Sequence, residues 1–523
     1  MLKIGIDVGG TNTDAVLLDD QNTVLFSLKT PTTTDVETGI YTALEKIIHS
    51  GMVEAEQISA IMLGTTHATN AIIERTRLSR IACVRICLPA GTALEPLFTW
   101  PNDLKQATGH DYFYVHGGCE SNGRPLADKH LDRAECIRIL RAIKATNAQS
   151  VAVTAIFSSV AAHYENEFAA IAAEILGPGF PVTLSHQIGS MGFLERENST
   201  ALNAALISVA RTIVRGLSQA LERYRIHARI FFAQNDGTLM DIEFAQRYPI
   251  LTIGSGPTNS IRGAAELSGL KDCIICDIGG TTTDIGIMIN GFPRESSVAV
   301  TIGGVKTNFR MPDIISIGIG GGSIVRVKEG KVSVGPDSVG YQITQRSIAF
   351  GGDVLTATDC LLASGYVVIE HPDCDTSRLK TVPETVWRRS IEIINEQVTA
   401  AIDQIKTTPQ PMPVVLVGGG IILIPGNIEG TSQVIRPHHS GCANAYGAAI
   451  AWISGEIDKM FSMAGKSREQ VLTLVTNEAC QKAINSGALP ETVELIDIEE
   501  LPMAYVTSDF VRIKAKAAGK LVL

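Results

Sequence analysis

The residues best suited to chemistry lie in an eight-residue segment that occurs twice in the chain. Residues 7–14 are Asp-Val-Gly-Gly-Thr-Asn-Thr-Asp, and residues 277–284 are Asp-Ile-Gly-Gly-Thr-Thr-Thr-Asp. Glycines allow backbone N–H groups to approach phosphate oxygens, and threonine hydroxyls add further donors. A carboxylate at a strand end can hold Mg²⁺ through water, because Mg²⁺ prefers oxygen ligands and dehydrates reluctantly. The repeated segment therefore predicts two polyphosphate-binding loops that face each other across a cleft.

Individual candidates follow from these residue types. Asp7 and Asp277 are predicted to organise Mg²⁺ and to act in catalysis through it. The remaining loop residues are predicted to bind the phosphates: Gly9, Gly10, Thr11, Asn12, Thr13, Gly279, Gly280, Thr281 and Thr282. Asp14 and Asp284 are interpreted as braces that accept backbone hydrogen bonds. The alternative, that both segments are plain glycine turns, stays open.

A third glycine cluster, Gly418, Gly419 and Gly420, follows the apolar strand predicted at 414–417. A glycine turn at a strand end allows a flat base to approach the backbone, although such a turn alone is more often only a tight turn. Because this cluster follows two predicted phosphate loops, we interpret it as the adenosine site. The predicted ligand is ATP with Mg²⁺.

Apolar runs on both sides of each repeated segment indicate how it is positioned. Residues 2–6 and 15–18 flank the first copy, and residues 273–276 and 285–289 flank the second. This pattern predicts strand–turn–strand hairpins whose glycines have positive φ. Two copies at an offset of 270 residues predict two related lobes of the α/β class.

Helical periodicity adds a long helix over 199–225, which we expect to link the lobes, and a small-residue helix from Asn444 to Ser454. Gly254–Pro257 is predicted to be a loop or hinge. The predicted domains are an N-terminal lobe over 1–198, a second lobe over 199–455 and a C-terminal extension over 456–523 that packs back on the N-terminal lobe.

Composition excludes several classes of function. The 523 residues include 44 basic and 54 acidic side chains, which give a net charge of −10. We expect no nucleic-acid partner, because binding a phosphate backbone needs a basic block and the chain has none. No apolar run reaches about 18 residues and no signal sequence precedes the first strand, which predicts a cytoplasmic protein without membrane contact. The ten scattered cysteines are typical of reduced thiols.

In their order along the chain, these motifs resemble those of the hydantoinase A/oxoprolinase family, within the superfamily of actin, sugar kinases and heat-shock ATPases. The segments that carry the resemblance are 5–14, 64–71, 195–204, 254–257, 277–284 and 317–324. They extend over most of residues 1–455. The resemblance implies a two-lobed actin-like ATPase fold, with duplicated ribonuclease H-like mixed sheets around a nucleotide cleft.

Members of that family cleave cyclic amides such as hydantoins and 5-oxoproline with ATP, and relatives form subunits of ATP-dependent carboxylases. The resemblance therefore implies an ATP-dependent hydrolase of cyclic amides that forms an oligomer and works with a second hydantoinase-type subunit. Within Gly64-Thr65-Thr66-His67-Ala68-Thr69-Asn70-Ala71 it implies that Thr66 or Asn70 contacts the substrate or the γ-phosphate. The alternative for these two residues is a helix N-cap.

The chain departs from the family pattern in two places. It ends at residue 523, so we expect it to lack the extra C-terminal domain of longer members. Residues 340–346 lack the Pro-Gly-Pro and Cys-Tyr-Gly pattern expected there. Two alternative functions stay open: a small-molecule kinase, which would release a stable phosphoester, and a nucleotide-driven regulatory or chaperone-like ATPase, which would respond to a protein.

Overall fold

The computed structural model describes residues 2–9, 12–31, 36–189, 192–296, 300–309, 311–463, 465–501 and 510–522. Gly10 and Thr11, two of the predicted phosphate ligands, lie outside the described residues. Within the described ranges, the larger sheets have nine, six and four strands. The nine-stranded and six-stranded sheets carry the two copies of the repeated segment.

The nine-stranded sheet combines N-terminal strands with strands from the middle and the end of the chain. Its members are β1 (Leu2–Val8), β2 (Asn12–Leu18), β3 (Val24–Pro31), β4 (Ile58–Thr65), β9 (Arg229–Ala233), β10 (Thr238–Asp241), β21 (Trp452–Ser462), β22 (Glu494–Leu501) and β23 (Phe510–Gly519). Their order is β22-β23-β21-β10-β9-β4-β1-β2-β3. β1 lies antiparallel to β2 and parallel to β4. Both β1 and β2 are almost entirely buried, as their near-continuous apolar runs predict.

The second lobe repeats this arrangement. Its strands are β11 (Cys273–Ile278), β12 (Thr283–Ile289), β13 (Phe292–Pro293), β14 (Thr301–Ile302), β15 (Val305–Lys306), β16 (Ile314–Ile317), β17 (Ser323–Lys328), β18 (Lys331–Ser338), β19 (Pro413–Val417) and β20 (Gln433–Ile435). The six-stranded sheet has the order β13-β12-β11-β19-β20, and β16 pairs with β12. β11 is antiparallel to β12 and parallel to β19, so the surroundings of β11 match those of β1.

A four-stranded parallel sheet, inserted between β4 and β9 in the chain, forms a separate layer of the first lobe. Its strands are β5 (Ile81–Leu88), β6 (Asp111–His116), β7 (Ser150–Ala155) and β8 (Val182–Leu184), in the order β6-β5-β7-β8. Each neighbouring pair in this sheet is parallel. Its strands are linked through helices, as parallel strands require.

The helices cover the sheets and connect them. They are α1 (Val36–His49), α2 (His67–Glu74), α3 (Asn102–Thr108), α4 (Arg133–Ala145), α5 (His163–Leu176), α6 (Phe193–Tyr224), α7 (Ile242–Arg247), α8 (Ser255–Ser268), α9 (Ile343–Arg346), α10 (Ala357–Ser364), α11 (Glu384–Ile405), α12 (Ala443–Ala449) and α13 (Arg468–Asn485). None of these helices combines the length and the apolar character needed to cross a bilayer.

The long helix that was expected to link the lobes is α6. Its apolar residues, Leu202 and Ile213 among them, pack into the same hydrophobic core as Ile4 of β1. Near its start, Asn198 Nδ2 donates to Lys306 O of β15 over 2.9 Å. Most of the helix therefore packs against the first lobe's own sheet, and its first turns also contact β15. Helices α8 and α12 lie between the two sheets, since α8 contacts both β4 and β11 and α12 packs on β1.

The predicted domain boundaries do not follow the sheets. β9 pairs with β4, so the chain returns to the first sheet well after residue 198. The helix predicted to extend to Ser454 ends at Ala449, and β21 begins at Trp452. β21 joins the first sheet beside β10, and β23 pairs with β21, so the strands of the C-terminal region continue the sheet that contains β1.

Candidate active site

Asp7 and Asp277 occupy equivalent positions at the ends of β1 and β11. In the first hairpin Asp7 lies directly opposite Asp14, and in the second Asp277 lies directly opposite Asp284. Like charges placed opposite each other on neighbouring strands destabilise a hairpin. Each pair therefore needs donors or cations from elsewhere in the fold.

Both turns close with the same backbone hydrogen bond. Gly9 N donates to Asn12 O over 3.0 Å, and Gly279 N donates to Thr282 O over 2.8 Å. The expectation of positive φ was wrong for Gly9, Gly279 and Gly280. Glycine is favoured at Gly9 and Gly279 by close packing instead, since a Cβ would lie 3.0 Å from Asn12 O and 3.3 Å from Thr282 O.

Thr13 is fully buried, unlike the other described residues that were predicted to bind phosphate. A Cβ on Gly39 of α1 would lie 2.9 Å from its hydroxyl oxygen, so this hydroxyl lies against α1. Its burial indicates that Thr13 supports the hairpin. In the second hairpin, Thr281 is partly exposed and Thr282 is exposed.

A glycine-rich segment packs its backbone against the second loop. Gly321 N donates to Gly279 O over 3.0 Å, and Gly322 N donates to Gly280 O over 2.7 Å. A Cβ on Gly320 would lie 2.7 Å from the carbonyl carbon of Gly280. This segment belongs to the motif at 317–324 that carries part of the family resemblance. Its backbone therefore packs against the second loop and supports it.

The third glycine cluster lies on another side of the second loop. Gly418 has φ +91°, and a Cβ there would collide with Asp277 Oδ1 and with Ile278 O. Gly420 N donates to Ile278 O over 2.7 Å. A Cβ on Gly419, in contrast, would meet nothing within 4 Å. Gly418 is thus required by packing beside Asp277, whereas Gly419 borders open space.

Helices α8 and α12 cross with their backbones in contact. Each contains Gly-Ala-Ala, at 263–265 and at 447–449. A Cβ on Gly263 would lie 2.9 Å from Gly447 N, and a Cβ on Gly447 would lie 2.8 Å from Gly263 N. Only glycine permits such an approach at this crossing.

At the crossing, each helix places one polar side chain against an aspartate at a strand end. Ser260 of α8 donates to Asp277 Oδ2. Asn444 of α12 donates through Nδ2 to Asp7 Oδ2 over 2.9 Å and to Asp14 Oδ2 over 3.0 Å. Helix α8, which follows β10 of the first sheet, thus supports the second hairpin. Helix α12, which follows β20 of the second sheet, supports the first hairpin.

Sequence reasoning missed both of these residues. Ser260 lies three positions before Gly263, and Asn444 lies three positions before Gly447. A polar residue at this spacing before a repeated Gly-Ala-Ala was the available signal. The Gly254–Pro257 segment, predicted as a loop or hinge, contains instead the first turn of α8.

Burial dominates the electrostatics of the first aspartate. Asp7 is 3% exposed. Burial, together with the nearby Asp14 carboxylate, raises the pKa of Asp7 to about 7, and the amides of Asn259 and Asn444 oppose this rise. Lys29 Nζ lies 2.7 Å from Asp14 Oδ1 and neutralises part of this negative charge.

Burial also dominates the electrostatics of Asp277, but the groups that surround its carboxylate are different. Burial raises the pKa of Asp277 to about 6, the Ser260 hydroxyl lowers it, and Asp284 raises it. Lys29 also lowers the pKa of Asp277, and Asp277 in turn raises that of Asp7. The two hairpins are therefore close enough to influence each other's charge.

Thr66 lies beside Asp7, with the first turn of α8 facing both. A Cβ on Gly256 would lie 3.8 Å from Thr66 Cγ2 and 3.9 Å from both carboxylate oxygens of Asp7. Thr66 is the N-cap residue of α2, but its hydroxyl donates to Val8 O over 3.2 Å and makes no capping bond. Asn70 lies one turn further along α2, and in the described part of the chain no hydrogen bond joins its side chain to either aspartate.

The residues present fit a hydrated cation with a nucleotide. Asp7 Oδ1 is buried and makes no hydrogen bond with any residue that the structure describes. Across the same ranges, no three His, Cys, Asp or Glu side chains form a metal-binding cluster. Mg²⁺ needs no such cluster, because one or two carboxylates, water and phosphate oxygens complete its coordination.

Two family profiles match most of the chain. Residues 3–176 match the hydantoinase/oxoprolinase N-terminal region, and residues 196–457 match hydantoinase/oxoprolinase. The alpha subunit of caprolactamase from Pseudomonas jessenii is 27% identical in an alignment of 391 positions that covers 70% of this chain and 54% of that protein. The 5-oxoprolinase of Saccharomyces cerevisiae is 27% identical in an alignment of 456 positions that covers 76% of this chain and 35% of that protein. The chain thus spans about half, or less, of the length of these relatives.

A solved structure shares the fold. The crystal structure of the ATP-dependent caprolactamase from Pseudomonas jessenii aligns with a TM-score of 0.78 at 18% identity, over 99% of this chain and 88% of that one. This likeness and the duplicated sheets confirm the predicted fold class, an α/β protein with two lobes built on duplicated mixed sheets. Together with the two profile matches, the motifs show that the chain belongs to the hydantoinase/oxoprolinase family.

Proposed function

We propose that this chain uses ATP and Mg²⁺ to open a cyclic amide of the hydantoin, 5-oxoproline or lactam type. The observation that carries the proposal is the pair of equivalent hairpins whose Asp7 and Asp277 both contact helix α8 or α12 at the crossing. Membership of the hydantoinase/oxoprolinase family supports the reaction type. The relatives named 5-oxoprolinase and caprolactamase support the class of ring.

Within this proposal, Asp7 and Asp277 hold the cation, and the two glycine turns bind the phosphates. The phosphate ligands are Gly9, Gly10, Thr11, Asn12, Gly279, Gly280, Thr281 and Thr282, with Thr13 as a support beneath the first turn. Gly418, Gly419 and Gly420 border the adenosine, with Gly419 facing the open side. Thr66 and Asn70 face the γ-phosphate or the substrate, because Thr66 lies beside Asp7.

The chemical need for ATP follows from the stability of an amide. Resonance stabilises the amide, and its nitrogen is a poor leaving group. Bound MgATP supplies a phosphoryl group to the carbonyl oxygen, and ADP is released. Addition of one water and cleavage of the C–N bond then leave an acyl phosphate, and a second water releases orthophosphate and the ring-opened acid. The protein contributes positioning and neutralisation of charge.

A second subunit completes the proposed reaction. Water attack requires a base and an oxyanion site, and we assign both to that partner. Partner and substrate together exclude bulk water from the cleft, which protects the phosphorylated ring from losing its phosphoryl group to water before the ring opens. One relative is itself named a subunit, and the chain spans about half of that protein.

The test follows ADP and ring-opened product separately while the chain is incubated with ATP, Mg²⁺ and a panel of lactams, hydantoins and sugars. We expect slow ADP release and no ring opening by the chain alone, and ring opening after addition of a co-encoded partner. Stoichiometric ring opening by the isolated chain would refute the need for a partner. A stable phosphoester would establish the kinase alternative, and ATP hydrolysis that responds only to a protein would establish the regulatory one.

A further inference from the structure

Asn259 of α8 is fully buried, yet both polar atoms of its side chain lack a hydrogen-bond partner among the described residues. An unpaired buried amide destabilises a fold, because it loses its hydrogen bonds to water without replacement. Native proteins contain few such groups, and each calls for an explanation. Truncation of the Asn259 side chain is therefore expected to cost the ligand-free protein little stability.

A second unpaired atom lies beside this amide. Asp7 Oδ1 is also buried and makes no hydrogen bond within the described ranges. A Cβ on Gly64 would lie 2.6 Å from Asn259 Nδ2 and would collide with Asp7 Oδ1, so both atoms border the bare backbone of Gly64. The amide lowers the pKa of Asp7, although the two groups do not meet in hydrogen-bond geometry.

The other amide at this carboxylate behaves differently. Asn444 Oδ1 accepts a hydrogen bond from Ala445 N over 2.9 Å, and its Nδ2 donates to both Asp7 and Asp14. Asn444 is therefore satisfied within the protein and holds Asp7 Oδ2 in place. The contrast separates a structural amide on one side of Asp7 from an unpaired amide on the other.

We propose that Asn259 is a binding residue, whose amide and Asp7 Oδ1 together bind the water shell of the divalent cation that accompanies the nucleotide. Mg²⁺ keeps several of its waters, and those waters donate hydrogen bonds to acceptors in the protein. Asn259 Oδ1 and Asp7 Oδ1 supply acceptors, and Asn259 Nδ2 supplies a donor. This inference rests on the proposed function, because it assumes that the cation binds at Asp7.

The test compares Asn259→Ala with Asn444→Ala, and uses the exposed Asn485→Ala as a control. Two quantities are measured on the full chain: the unfolding temperature without ligand, and the affinity for Mn²⁺ in the presence of a non-hydrolysable ATP analogue. We expect Asn259→Ala to keep or raise the unfolding temperature. The same change should weaken the affinity for Mn²⁺ about 10–100-fold, as loss of an outer-sphere partner does. Asn444→Ala should lower the unfolding temperature, and Asn485→Ala should change neither quantity.

The unfolding temperature distinguishes a binding role of Asn259 from a packing role. A packing residue would lower the unfolding temperature when truncated and leave Mn²⁺ affinity intact, and that result overturns the inference. If Asn259→Ala does not fold, Asn259→Ser keeps a small polar group and is judged by Mn²⁺ affinity alone: weakening supports the inference, and unchanged affinity overturns it. If the unmodified chain itself binds neither the analogue nor Mn²⁺, the proposed function fails, and this inference fails with it.

Discussion

The two hairpins share a backbone but differ in the side chains that support their carboxylates. Around the first hairpin, the Asn444 amide bridges both aspartates and Lys29 pairs with one of them. Around the second, the supports are hydroxyls: Ser260 binds Asp277, and Ser316 lies opposite Asp284, where it opposes the rise in the pKa of Asp284 that burial causes. In the ranges that the structure describes, no lysine pairs with Asp284.

This difference teaches what duplication preserves. Strand register and helix crossing place both aspartates in the same way, because those depend on backbone packing at glycine. The polar partners are free to diverge, because an amide and a hydroxyl each satisfy a carboxylate. The first hairpin has a stronger pKa perturbation, with Asp7 at about 7 and Asp277 at about 6.

The largest expected effect is on turnover in Asp7→Asn and in Asp277→Asn. Each change removes a carboxylate that helps to hold Mg²⁺, the cation that neutralises the triphosphate, and loss of one preorganised electrostatic group costs roughly 2.7–4 kcal/mol, or about a hundred- to a thousandfold in rate. The measurement is ADP release, with the exposed Asp353→Asn as control. Near-normal turnover in one variant would break the functional equivalence of the hairpins.

The next comparison is the pH dependence of stability without metal. Because burial raises the pKa of Asp7 from 3.8 to about 7, the folded protein binds a proton that the unfolded chain has lost. Stabilisation from this group is therefore complete below the unfolded pKa and is lost as the pH rises towards 7. We expect Asp7→Asn to remove part of that fall in the free energy of unfolding, measured with urea in the presence of a chelator.

Asp277→Asn should act in the same direction, with a smaller effect centred lower, since its pKa is raised only to about 6. Parallel pH profiles of stability for wild type and both variants would show that neither aspartate has a raised pKa in the folded protein.

A smaller effect distinguishes two neighbouring glycines. Gly419→Val should leave the fold intact and weaken the affinity for ATP about tenfold, or about 1.4 kcal/mol, because the valine side chain would enter the open space beside the second loop. Gly418→Ala should lower the unfolding temperature instead, because a Cβ there collides with Asp277 and φ is +91°. Equal ATP affinity for wild type and folded Gly419→Val would move the adenosine site elsewhere.

The smallest effect concerns the lysine that is found at the first hairpin. Lys29→Met should lower the free energy of unfolding by about 1 kcal/mol or less, because solvent screens a side chain that is 39% exposed. Denaturant titration at low and high salt provides the measurement, with the exposed Lys328→Met as control. The difference should shrink at high salt, and a difference independent of salt would argue against an ion pair.

Much of the candidate site was predictable because it is local in sequence. The spacing of Asp7, Asp14, Asp277 and Asp284 predicted two hairpins, since a glycine turn between apolar runs needs no distant contact to form. The third glycine cluster was predictable for the same reason. The glycines at positions 9 and 279 did not imply positive φ, because close packing against a carbonyl oxygen also favours glycine.

The contacts that complete the site come from positions distant in sequence. Asn444 reaches Asp7 across 437 positions of the chain, and no local pattern encodes a contact of that length. For a related reason, periodicity did not show that α6 packs mainly in the first lobe: it marks which face of a helix is buried but not against which lobe that face packs. Local spacing therefore determined the carboxylates and their turns, whereas tertiary packing alone decided that Ser260 and Asn444 hold Asp277 and Asp7, because those two contacts form only where the two helices cross at glycine.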